Sequence, residues 1–101
     1  MLSEILSAVL SELNTLSPDI EASAVISPDG LLMSAALPER FDAERLAAMS
    51  TALHSVGSRA VKELGRGILQ QVLIQGINGT VIVTHAGRQA LLTVMVNNHA
   101  Q

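Results

Sequence analysis

The sequence predicts an α+β domain built on a five-stranded antiparallel sheet, in the order helix, strand, strand, helix, strand, strand, strand, with helices on both sheet faces. Three observations predict it. Apolar residues recur at three- and four-residue steps in two stretches, the period of a helix with one buried face. Five shorter stretches alternate between faces and are bounded by proline, glycine and asparagine turns. The last of these is apolar on both sides, and a sheet open to water on one face shows a cleaner alternation.

Leu2, Ile5, Leu6, Val9, Leu13 and Leu16 form the apolar stripe of the first expected helix, which Ser17-Pro18-Asp19 ends because proline cannot continue the ladder. Glu21 to Ser27 then alternates, with Ala22, Ala24 and Ile26 on one face. Ser27-Pro28-Asp29-Gly30 supplies a four-residue turn, and Leu31 to Ala36 returns as the second strand of a hairpin. Pro38-Glu39-Arg40 breaks the sheet, and Asp42 can cap a long helix from Ala43 to Leu64. Its core stripe is expected to be Leu46, Met49, Leu53, Val56, Ala60 and Leu64, flanked by small residues, Ala48 and Ala52 on one side and Ser50 and Gly57 on the other. Gly65-Arg66-Gly67 suits a left-handed cap. Strands follow at Ile68 to Gln75, Thr80 to Ala86 and Gln89 to Val96, the first two joined through Asn78-Gly79, a pair that accepts the positive φ angles of a tight turn. A single domain over residues 1–101 accounts for all of this, with no repeat or linker.

The composition narrows the functions open to such a domain. Of 101 residues, 49% are apolar but only 1% aromatic. Phe41 is the sole aromatic residue, which removes the stacking platforms that hold single-stranded nucleic acid. Nine acidic against six basic residues, the latter scattered, speak against a polyanion partner. The absence of cysteine excludes thiolate catalysis and cysteine-held zinc. The N-terminus lacks the basic start of a signal peptide, and glutamines, Asn78 and glycines break the nearly uncharged stretch after Gly67, so direct membrane insertion is not expected and the cytoplasm is the expected home.

Reactive constellations are equally scarce. There is no P-loop, and Gly65-Arg66-Gly67-Ile68-Leu69-Gln70 lacks the final glycine of a dinucleotide fingerprint and leads into a strand. No nucleophile elbow surrounds a serine. His54, His85 and His99 share neither a helical face nor a short hairpin, so each is expected to be structural or solvated, with no metal ligated. No catalytic residue and no cofactor is therefore expected.

Ala24-Val25-Ile26-Ser27-Pro28-Asp29-Gly30-Leu31-Leu32-Met33-Ser34-Ala35, Leu46-Ala47-Ala48-Met49, Glu63-Leu64-Gly65-Arg66-Gly67 and Asn78-Gly79-Thr80-Val81-Ile82-Val83 occur in an order that resembles the roadblock/dynein light chain family, of profilin-like fold. The likeness runs from about Leu2 to Val96. It implies a non-enzymatic regulator of a Ras-like small GTPase, similar to the gliding-motility GTPase-activating protein of bacteria. It also implies a homodimer, or a heterodimer with a paralogue, formed by pairing the third strands and packing the long helices side by side. On this sequence that assigns Ser50, His54, Gly57, Val61, Ile68, Gln70, Val72 and Ile74 to the dimer interface, and Glu44, Arg45 and Arg59 to a GTPase-facing surface. The residues support an interface there independently, because an uncharged, proline-free strand at a sheet edge is adhesive unless paired.

The chain stops at Asn97-Asn98-His99-Ala100-Gln101, where many relatives continue into a third helix, so a short form or a cut chain is expected. Activation of hydrolysis could draw on Arg40, Arg45, Arg59, Arg66 or Arg88, but repositioning of the GTPase's own loops is favoured, since the gliding-motility relative is understood to supply no arginine. Two alternatives compete: a scaffold subunit without effect on hydrolysis, and a small-molecule sensor, for which Gln70, Gln71, His85 and Thr93 are the candidate polar cluster.

Overall fold

A computed structural model describes residues 19–87 and 89–97. The described elements are β1 (Ile20–Ile26), β2 (Leu32–Ala36), α1 (Ala43–Glu63), β3 (Gln71–Gly76), β4 (Gly79–Ala86) and β5 (Ala90–Asn97). The strands form one antiparallel sheet in the order β2-β1-β5-β4-β3. The helix expected over Leu2 to Leu16, and with it any cover on the second sheet face, lies outside the described residues, as do Arg88 and the chain beyond Asn97.

Each boundary has a local cause. The β1–β2 turn closes through Ser27, whose hydroxyl accepts from the Leu31 amide at 3.1 Å while its amide donates to the Leu31 carbonyl at 2.8 Å. Asp42 starts α1 by accepting from the amides of Glu44 and Arg45 at 3.1 and 3.2 Å, two of the donors an unfinished first turn leaves open. At the other end Gly65 takes φ 65°, and the Arg66 and Gly65 amides bond back to the Val61 and Lys62 carbonyls. That paired pattern needs a left-handed residue after the cap, which glycine reaches without strain.

The third strand and its hairpin differ from the expected ones. The third strand begins at Gln71 rather than Ile68, because Leu69 turns inward beneath α1 and is buried, leaving Ile68 and Gln70 exposed ahead of the strand. The β3–β4 hairpin also turns about Ile77-Asn78, with Gly76 opposite Gly79 and no positive φ at Asn78. Gly79 is needed for another reason. At φ 151° its absent Cβ would stand 2.6 Å from the Val96 carbonyl oxygen of β5.

The core lies between α1 and one face of the sheet. Ile26, Ala47, Val83 and Leu91 pack together, with Leu53, Val72 and Val81 against them. Strand register places Ala22, Ala24 and Ile26 opposite Met95, Thr93 and Leu91, so the small β1 residues share the helix-covered face and let α1 seat closely. The helix is turned by roughly 60° from the expected orientation, at 3.6 residues per turn. Leu46, Ala47, Ser50, Leu53, His54, Gly57 and Val61 face the sheet, whereas Met49 and Val56, expected in the core, are 53% and 68% exposed and Ala60 and Leu64 are exposed as well. Packing explains the rotation. Gly57 leaves room for Val72 and Leu69, and Ser50 is satisfied by Thr93, so small and polar residues occupy an arc that hydrophobicity alone would not choose.

A candidate protein-interaction surface

β3 is an edge strand. It pairs with β4 along residues 71–76 and with no other strand among the described residues. Its sequence, Gln-Val-Leu-Ile-Gln-Gly, carries no charge, proline or bulge, the devices that ordinarily protect an open edge. Leu73 is 51% exposed and Ile74 is exposed beside it, and Ile77 at the adjoining hairpin tip is 93% exposed.

The outward face of α1 continues this surface. Arg45, Met49, Ala52, Val56, Arg59 and Glu63 recur at the spacing that aligns side chains along one face, and all are exposed. Between this face and the sheet opens a cleft of about 440 Å³, lined chiefly by Phe41, Leu46, Met49, Leu53, Ile74 and Met95, with Arg45 at its rim. Exposed apolar side chains on strand edge, cleft and helix together make the kind of patch that marks a protein contact.

The charged residues frame that patch. Arg40 bonds Glu21 at 3.1 Å and lies 4.7 Å over the Phe41 ring. Arg59 pairs with Glu63 at 3.5 Å one turn along, a solvent-exposed contact of small energetic weight. Arg45 and Arg59 share a face about 21 Å apart at the helical rise, whereas Glu44 lines a separate depression with Leu31, Leu32 and Ala47.

The residues assigned to a subunit interface are thus placed unevenly. Ile74 lies on the exposed edge strand and Val72 points to the core from the same strand. Ser50 is 1% exposed, bonded by Thr93 at 2.7 Å, and Gly57 meets Val72 and Leu69, so the flank carrying Ser50, His54, Gly57 and Val61 addresses its own sheet. Ile68 and Gln70 precede the strand; the Gln70 carbonyl accepts from the Thr84 hydroxyl at 3.3 Å. Met49 and Val56, read in the sequence as core, take the exposed position on the helix. Of the polar cluster expected of a sensor, Thr93 is buried under α1 while Gln70 and Gln71 are exposed, so these side chains do not gather in one pocket.

A second, more polar cleft of about 650 Å³ lies between α1 and the β1–β2 and β4–β5 turns, lined by Asp29, Thr51, His54, His85, Gln89 and Leu91 among others. His54 and His85, 31 positions apart in the chain, meet there with ring centroids 5.2 Å apart and planes at 87°. Burial lowers the His54 pKa from the ordinary imidazole value of 6.5, and the neighbouring His85 lowers it further. Helical or hairpin spacing could not have revealed this pair, because it is made by the packing of α1 on β4.

The Roadblock/LC7 domain family model matches residues 6–96. An uncharacterized protein of Methanocaldococcus jannaschii, MJ0310, is 36% identical over 86 residues, 85% of this chain and 75% of that protein. Among solved structures, the Roadblock/LC7 domain from Streptomyces avermitilis superposes with a TM-score of 0.86 at 26% identity, covering 94% of this chain and 80% of that one. The gliding protein MglB from Thermus thermophilus does so with a TM-score of 0.85 at 21% identity, covering 98% and 76%.

Proposed function

Because the chain belongs to the Roadblock/LC7 family, we propose that it is a non-enzymatic, dimeric regulator of a Ras-like small GTPase in the cytoplasm. The observation that carries this reading is the uncharged, exposed edge of β3 beside the exposed Met49 and Val56 of α1. Two copies joined along β3 would extend the sheet across the pair and satisfy the open backbone groups of both edges. Their helices would then lie side by side, with each copy covering the other's apolar cleft. Burial of such a patch supplies the apolar contact that a stable pair requires.

On this reading Met49 and Val56, in the middle of that helix face, meet the second copy, and Arg45 and Arg59 towards its two ends, with Glu44 at the flank, are left to meet a GTPase. Arg40 is engaged by Glu21 and Phe41, in keeping with a regulator that holds the GTPase's switch loops and inserts no arginine at the phosphate. The test is GTP hydrolysis by a small GTPase from the same genome, measured with and without this protein. Faster hydrolysis with co-elution supports the regulator; co-elution without acceleration assigns the protein to scaffolding instead, and the absence of both acceleration and co-elution overturns the reading.

A further inference from the structure

The His54–His85 pair stands apart from the apolar patch on β3, its cleft and the outward face of α1. The geometry points to a binding site for a borderline divalent metal ion such as Zn²⁺, held by the imidazoles of His54 and His85 in the cleft that Asp29 also lines.

Three observations carry this. The ring centroids are 5.2 Å apart, and two imidazoles on one tetrahedral zinc, each nitrogen at about 2.0–2.1 Å, have centroids roughly 5 Å apart. The planes stand at 87°, so the rings are not stacked face to face. Next, His85 Nε2 lies 3.3 Å from the Leu69 carbonyl oxygen. A carbonyl only accepts, so in a neutral His85 ring this contact requires the proton on Nε2, and Nδ1 is then the nitrogen that carries the lone pair. A histidine that donates its remote N–H to a backbone carbonyl is the ordinary support of a metal ligand, since the bond sets both tautomer and ring orientation. Finally, Asp29 lines the same cleft from the β1–β2 turn, so the side chains around the histidine pair offer nitrogen and oxygen, the donor types that suit zinc, nickel or copper.

Among the described residues no group of three or more His, Asp or Glu is already assembled as a ligand set. The ion is therefore held first by two nitrogens, with water or Asp29 filling the other positions. Such an ion would fasten the middle of α1 to β4, next to the Leu69 segment that leads into the edge strand. Metal would then stiffen the seat of the helix where it meets β3.

The experiment is a Zn²⁺ titration of the full, metal-stripped chain by calorimetry, followed in parallel by the imidazole nitrogen resonances. The expected result is one ion per chain, coordination shifts at His54 and His85, and affinity at least about tenfold weaker in His54→Gln and in His85→Gln, with His99→Ala unchanged. Circular dichroism of the metal-free variants checks folding. Should His54→Gln unfold, the exposed His85→Gln and the wild-type resonances decide. Absence of saturable binding, binding unchanged by either glutamine variant, or binding lost in His99→Ala would overturn the site.

Discussion

Thr93 Oγ1 donates a 2.7 Å hydrogen bond to Ser50 Oγ, joining β5 to α1 across an interface where neither residue is more than 1% exposed. A polar pair inside an apolar layer is tolerated only when each group is satisfied, and no buried side-chain nitrogen or oxygen among the described residues lacks a partner. The pair thus fixes the rotation of α1 that sends Ser50 inward and Met49 outward.

Removing one hydroxyl strands the other. Thr93→Val should lower stability by about 1–3 kcal/mol, the cost of an unsatisfied buried group. The double variant Ser50→Ala/Thr93→Val should lose less than the two single losses combined. Urea unfolding of the four proteins closes the cycle; strictly additive losses would mean that the bond couples nothing.

Gly57 lets α1 lie close to β3, since a Cβ there would stand 2.9 Å from Val72 Cγ2 and 3.2 Å from Leu69 Cδ2. Gly57→Val should destabilise the chain by about 1–3 kcal/mol through overpacking. Adding Val72→Ala should restore part of that loss by clearing the contact. Equal denaturant midpoints for wild type and Gly57→Val would show that the helix does not need this approach.

His54 gives the fold a pH dependence. Burial and His85 lower its folded-state pKa below 6.5, so between those two values the unfolded chain binds more protons than the folded one. Stability is therefore full above about pH 6.5 and falls as pH drops through the folded-state value. With a chelator present, the melting temperature should decrease from pH 7.5 to pH 5 more steeply for wild type than for His54→Gln. Parallel pH profiles would remove His54 as the cause.

Much of the architecture was legible because it rests on local signals. Asp42 announced the start of α1, Gly65 its end, and Pro28-Asp29-Gly30 the first hairpin. What escaped depends on contacts between distant elements. The inward arc of α1 could not be read from apolar spacing, because Ser50 and Gly57 are buried for their partner and their size. Met49 and Val56 looked like core because apolar spacing alone does not separate a buried helix face from an exposed one. Leu69 shortened β3 by turning under the helix, and His54 met His85 only once α1 was packed on the sheet. The helix expected over Leu2 to Leu16 lies outside the described residues.

The proposed pairing requires that a second copy cover the exposed β3 edge and the Met49–Val56 face. Light scattering on a size-exclusion column tests this directly, comparing wild type with Leu73→Lys and Val56→Glu, both at exposed positions that folding should tolerate. Wild type should show twice the 10.6 kDa chain mass, and each variant should move toward the monomer while keeping its circular dichroism spectrum. A wild type that stays monomeric at high concentration, or a dimer indifferent to both substitutions, would contradict it.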